Sequence, residues 1–356
     1  FMDRRGNIST TTYDPLGRVT SETNPEGVTK EYGHSPTGRR YSMTINGETW
    51  TTEFNAEGGV SSRINPLGHA TEFQTNPMGY NRFVTNPMNE TTEFELDEFN
   101  RMTARIDGLS RTMTFDYNGY DLVTDITVPD TGTVGYVWNN HRQLQWLNDL
   151  NNQEWGFGYS NMGRMFIHLD PLDNQWDFGW SNRGLLESIT FPDSETLTNS
   201  YDAAGNVITK TYSNGPVISS SFDEYNRLES TDEISFLRNE EGFITSTTDV
   251  DTTVFGASYD MANRLESVTY ADGAFTVFYY YEPDTNLLAG VSDTLTATVM
   301  SFDYDNADRL TTINRNNGLN TSYVWDDANR IAGITHGALA DIQITRDTAG
   351  QVTELN

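Results

Sequence analysis

Tryptophans, histidines and carboxylates are the side chains of this sequence that could do chemistry. The histidines His34, His69, His141, His168 and His336 are scattered, and no two stand at a metal-ligand spacing with Cys or another His. They read as strand or turn residues, so no metal and no other cofactor is expected. Acidic pairs occur at Asp249/Asp251, Asp303/Asp305 and Asp326/Asp327. Glycoside hydrolysis needs two carboxylates about 5–10 Å apart across a cleft, whereas Asp305 and Asp326 both begin turns. Calcium takes clustered oxygen ligands, but nothing has the Asp-x-Asp-x-Asp-Gly spacing. There is no phosphate-binding Gly loop, nucleophile elbow or His-paired Ser, and the chain is not expected to be an enzyme.

The aromatic side chains carry the better binding argument. There are 18 Phe, 18 Tyr and 7 Trp. Exposed rings suit sugar chains, whose apolar faces stack on them. Most rings sit at positions where they would stack on one another along a sheet. Trp146, Trp155 and Trp176 lie off those positions and are the candidate carbohydrate-binding residues.

What must position these groups is a repeat. An aromatic, a turn residue, two variable positions, Gly or Asn, often Arg, then an apolar residue recur as YDPLGRV from Tyr13, YDAAGNV from Tyr201, YDMANRL from Tyr259 and WDDANRI from Trp325. The interval is 21 residues throughout Thr75–Phe222, and about 17 copies fill the chain. A fixed period of this size marks a repeat architecture. The second position is almost always Asp, Asn or Ser, which start turns. The fifth is mostly Gly, otherwise mainly Asn or Asp, residues that tolerate positive φ. Together they predict a hairpin turn with a bulge. Two residues before the first position most copies carry a second aromatic (Phe73, Phe115, Phe157, Phe302), the spacing of one strand face. A second turn closes each unit, as in Asn24-Pro25-Glu26-Gly27, Asn65-Pro66-Leu67-Gly68 and Asp170-Pro171-Leu172-Asp173. Each unit is strand, turn, strand, turn, and the chain reads as all-β, with Thr abundant in the strands. The interval 222–238 shortens to 16, read as a trimmed second turn, and 281–304 lengthens to 23 around Pro283-Asp284-Thr285-Asn286.

This pattern of aromatic, x, Tyr-Asp, x, x, Gly-Arg-Leu resembles the YD-repeat, or Rhs, family over residues 11–352. That family includes Rhs toxins, the B and C components of insecticidal toxin complexes, wall-associated proteins and teneurins. The resemblance implies tandem ~21-residue β-hairpin repeats forming a curled or spiralling antiparallel ribbon, here a partial shell. In the toxin members the shell holds a C-terminal toxic domain. This chain has no recognisable toxin domain and no core-associated segment ending in an autocleavage site. Enclosure of an effector is therefore an expectation about a parent protein.

Composition narrows the partners. With 51 acidic and 22 basic residues the net charge is −29, so nucleic acid and anionic membrane surfaces are repelled, and there is no apolar run long enough to insert in a membrane. Eight of the arginines stand at the sixth repeat position: Arg18, Arg39, Arg101, Arg164, Arg227, Arg264, Arg309 and Arg330. Such a stripe either grips an acidic ligand or pairs with the turn Asp of the adjacent unit, at roughly 0.2–1 kcal/mol each. A repeated residue in a repeat fold serves the repeat, which favours the second. Hydrophobic content is 36%, much of it aromatic, suiting thin ring stacking better than a thick core. Cysteine is absent, which removes disulfides and thiol chemistry. The chain opens in the repeat-like Met2-Asp3-Arg4-Arg5-Gly6-Asn7-Ile8 and stops just after a copy. It is expected to be a single continuous array, 1–356, cut from a longer protein. The parent is expected to be secreted or at the cell surface, with flanking segments of the same polypeptide, an enclosed effector and polysaccharide as the partners considered.

Overall fold

The computed structural model describes residues 1–3 and 6–356, so Arg4 and Arg5 of the opening segment lie outside the described residues. The described residues form 34 strands, two for each copy of the repeat, in one open antiparallel sheet. The one helical turn among them is a 3-10 turn at Ala271–Gly273, inside a second turn. In each copy the first strand ends at the first repeat position, as at Tyr13, Tyr117, Tyr201 and Trp325.

The first turn follows the expectation from its residue types. In the copy at Tyr13, the Gly17 amide donates to the Asp14 carbonyl at 2.9 Å and the Asp14 amide to the Arg18 carbonyl at 2.9 Å. The fifth residue takes positive φ: Gly17 77°, Gly205 96°, Asn226 60°, Asn329 63°, and even Arg142 63°. The register then slips by one, with Tyr13 opposite Val19 and Thr12 opposite Ser21, so Thr20 is a bulge. The slip recurs at Tyr117, Trp138, Tyr159, Tyr201 and Trp325. The short interval does trim its second turn, with a four-residue strand Leu228–Thr231 before Ile234–Arg238. The long interval lengthens the loop after Tyr281, closed by the Glu282 amide on the Leu287 carbonyl at 2.7 Å.

Cross-strand register sorts the side chains. Phe157 stands opposite His168, Phe178 opposite Ile189, Phe302 opposite Ile313 and Tyr323 opposite Ile334. These share a face with the first-position aromatics, since both lie an even number of residues along one strand. The other face carries pairs such as Ser200–Thr209, Ser221–Ser230 and Ser258–Ser267. No second layer covers the aromatic face: the buried apolar side chains among the described residues are Val28 and Ala104, and no large side chain is fully buried. Thin ring packing thus stands where a globular domain would have a core.

By compactness the chain divides into two units. One comprises Phe94–Ile106 and Ser110–Phe236. The other comprises Phe1–Glu93, Asp107–Leu109 and Leu237–Asn356. Within that second unit, turns distant in sequence meet. Arg330 grips both oxygens of Glu90 at 2.7 and 3.0 Å across 240 residues, and Asn24 Nδ2 donates to Asn286 Oδ1 at 3.1 Å. Thr348 Oγ1 reaches the Gly108 carbonyl at 3.3 Å; a Cβ at Gly108 would collide with the Thr348 carbonyl, so the contact needs glycine there.

Gly205 isolates the turn's backbone demand. An added Cβ would meet nothing nearer than Leu185 Cδ2 at 3.9 Å. Gly205→Val should therefore cost only the strain of a β-branched residue at positive φ, about 1–3 kcal/mol in the unfolding free energy by urea titration.

Candidate functional site

The recurring chemical unit is the first turn and its link to the next. The second-position Asp turns its side chain back over its own loop. Asp305 Oδ1 accepts the Ala307 and Arg309 amides at 2.9 and 3.1 Å, and Oδ2 accepts Arg309 Nε at 2.7 Å. The same guanidinium then crosses to the following copy, donating to the Asp326 carbonyl at 3.1 Å and Asn329 Oδ1 at 3.0 Å. It also lies 5.6 Å from the Trp325 ring centre. Arg101 and Arg264 repeat the arrangement, over Tyr117 at 4.6 Å and Tyr281 at 4.3 Å. The expected pairing of Arg with the Asp of the adjacent unit occurs at Arg101, whose Nη1 lies 2.7 Å from Asp121 Oδ1, but the recurring ion pair closes inside one turn, at Arg18–Asp14, Arg227–Asp223 and Arg330–Asp326 among others. The reason is local. The Arg amide already binds the same carboxylate, so the Arg stem rises directly above it, and the remaining donors are left for the next turn.

A second link runs the other way. The ladder joining neighbouring copies stops short of the first turn: between Leu186–Thr190 and Thr196–Tyr201 its last pair is Ser188–Thr198. The Leu186 carbonyl is left beyond the ladder, and Tyr201 Oη closes the gap at 2.5 Å. Tyr117, Trp138, Tyr259, Tyr304 and Trp325 donate in the same way to Met102, Val123, Ile244, Leu288 and Leu310 at 2.7–2.9 Å. Arg346 replaces the aromatic and still donates, to Ile331 at 2.7 Å. Sequence reasoning treated the first position as a ring for stacking. The signal it missed is that Tyr, Trp and Arg share a donor at the end of a long side chain.

The three candidate tryptophans do not form one platform. Trp155 and Trp176 share a face, with His168 between them: its ring lies 5.8 Å from Trp155 and 5.2 Å from Trp176, and 5.1 Å from Phe157. Trp146 stands opposite Gly156, which alternation puts on the other face from Trp155. All three are half-buried. The acidic pairs are engaged in structure. Asp249 Oδ1 accepts the Asp251 and Thr253 amides at 3.0 and 2.9 Å, Asp303 accepts Asn314 Nδ2 at 2.8 Å, and Asp327 lies 3.3 Å from His69 Nε2. His336 Nδ1 is 2.8 Å from Thr321 Oγ1, and His141 is exposed. No group of three or more His, Asp or Glu able to hold a metal occurs among the described residues, and no helix there is long and apolar enough to cross a membrane.

No family model matches the chain. No curated protein matches it either. Similar solved structures include the TcdB2-TccC3 complex, at 13% identity over 99% of this chain with a TM-score of 0.41. The Tc holotoxin pore of Photorhabdus luminescens gives 12%, 98% and 0.41. A porin-like protein from Bacteroides uniformis gives 11% identity over 86% of this chain and 87% of that one, with a TM-score of 0.11. The chain spans about a fifth of the toxin-complex chains it matches, 22% and 21% of their length.

Two measurements check the turn chemistry. Tyr304→Phe leaves the Leu288 carbonyl without its donor and should cost about 1 kcal/mol by urea titration, with little change in the rings' packing. The carboxyl of Asp202 is held below its usual 3.8 by the Asn206 side-chain amide and then by the Asn206 backbone amide. A lowered folded value means stabilisation that is present above the unfolded value and lost as pH falls through the folded one. The stability difference between the natural chain and Asp202→Asn should thus stay constant from pH 7 to about 5 and shrink below pH 3.8.

Proposed function

We propose that this chain is one continuous, non-catalytic array that serves as a wall segment of a longer secreted or cell-surface protein of the YD-repeat type. In that parent it encloses or presents a C-terminal effector domain, and the flanking segments of the same polypeptide are its partners. The observation that carries the proposal is the uncovered sheet: among the described residues, 34 strands with one aromatic and one hydroxyl-rich face, and no large side chain fully buried. A globular enzyme domain builds a closed core from such strands. Here the conserved geometry of each copy is used instead to fasten it to the next, which is what a wall requires.

The test uses the parent protein. Under limited proteolysis its C-terminal domain should survive while the array is intact and be digested once the array is unfolded by acid or urea. Surface labelling and fractionation should place the protein outside the cell. A C-terminal domain digested as fast in the parent as in isolation would overturn the proposal.

The stack of Trp155, His168 and Trp176 favours a second reading, a carbohydrate-binding segment. Retardation on affinity gels cast with a panel of polysaccharides, abolished by Trp155→Ala and Trp176→Ala, would support it; unchanged mobility on every polysaccharide would dismiss it.

A further inference from the structure

In the unit formed by the N-terminal and C-terminal stretches, one of the places that break the rule of the repeat borders a cleft. The position two residues before the first, an aromatic in most copies, is Thr52, and its cross-strand partner, usually Ile, Val or Leu, is Arg63. Over the same face lie Trp50, from the strand Glu48–Phe54, and Trp325, from a copy far along the chain. Together they border a cleft of about 440 Å³, within the roughly 300–1,000 Å³ of small-ligand clefts. Replacing an aromatic–aliphatic pair by Thr and Arg removes the filling side chains and supplies a cation.

The cleft holds polar atoms that the fold does not use. Asn65 spends its Oδ1 on the Leu67 and His69 amides at 3.1 and 2.9 Å, and its buried Nδ2 has no partner. His69 Nε2 faces Asp327 at 3.3 Å, and its buried Nδ1 has no partner. Arg63 is exposed and rests on the Phe73 ring at 5.5 Å, with no carboxylate bound. Buried polar groups left without a partner in a folded protein call for an explanation. None of the three is needed by the turn or by the link between copies.

We propose that this cleft binds a uronate unit of an acidic polysaccharide, the local cations Arg63 and Arg309 in its lining outweighing at short range the repulsion from the chain's net charge of −29. The C–H face of the sugar ring packs on Trp50, and the guanidinium of Arg63 takes the carboxylate in a two-pronged pair. An acidic peptide is disfavoured by the backbone. The strand Glu48–Phe54 is paired on both sides, with Arg40–Ile45 and Val60–Ile64, so no free edge is available for an extended chain.

The test is calorimetric titration of the intact chain with a trigalacturonate and with the neutral trigalactose, followed in parallel by tryptophan fluorescence. The acidic trimer should bind at least tenfold more tightly, and less tightly as salt rises from 50 to 500 mM, as about threefold shorter screening demands. Arg63→Gln should weaken it at least tenfold. Arg105→Gln, at the same repeat position elsewhere, should leave binding unchanged. The pair Thr52→Tyr with Arg63→Ile restores the repeat pattern and fills the cleft; it should abolish binding while keeping or raising the unfolding temperature. Absence of binding by the acidic trimer, equal binding of the neutral one, or an Arg63→Gln variant that binds normally would overturn the proposal. A pentaglutamate peptide binding as well as the sugar would overturn the sugar assignment.

Discussion

The structure depends on how each first turn is fastened to the next. An Asp carboxylate organises its own loop, holds the Arg that follows, and leaves that Arg with donors and a flat cationic face for the neighbouring copy. From the other side a Tyr or Trp donor reaches back to a carbonyl that the strand ladder cannot satisfy. Arg309 with Asp305, Asp326 and Trp325 shows the first link, and Tyr201 on the Leu186 carbonyl the second. Without them, the strands would be joined only by ladders that end two residues too soon.

This arrangement explains how so much sheet persists without a core. Full burial is rare here, since Val28 and Ala104 are the buried apolar side chains among the described residues, and the apolar contribution comes from half-buried rings and aliphatic side chains. Stability is instead a sum of nearest-neighbour terms, one set for each pair of copies. Charge-assisted hydrogen bonds and cation–π contacts are stronger than their neutral equivalents, and half-burial of partners such as Arg309 and Asp305, 13% and 19% exposed, limits their screening. The high acidic content also finds a local use, because the turn carboxylates are acceptors for backbone amides as well as for Arg.

A uniform array makes its exceptions conspicuous. Arg346 in place of an aromatic keeps the donor and so keeps the link. Arg142 accepts positive φ where Gly or Asn is usual and the turn is unchanged. Thr52 and Arg63 preserve neither packing nor linkage, and the cleft beside them contains polar atoms without partners.

The sequence by itself determined the strand count, the ends of the strands and the bulged turns. Those follow from φ tolerance at one position, turn initiation at another and alternation between them, all of which act over a few neighbouring residues. Tyr201, Asp202 and Gly205 announce their hairpin without any help from the rest of the chain. Tertiary structure decided what each side chain does across a gap. Whether Arg309 meets the Asp of its own turn or the next depends on where the Arg309 amide points. That Trp146 and Trp155 face opposite ways depends on register across two strands. The meeting of Arg330 with Glu90, and of His69 with Asp327, joins residues some 240 apart or more, which no local pattern encodes.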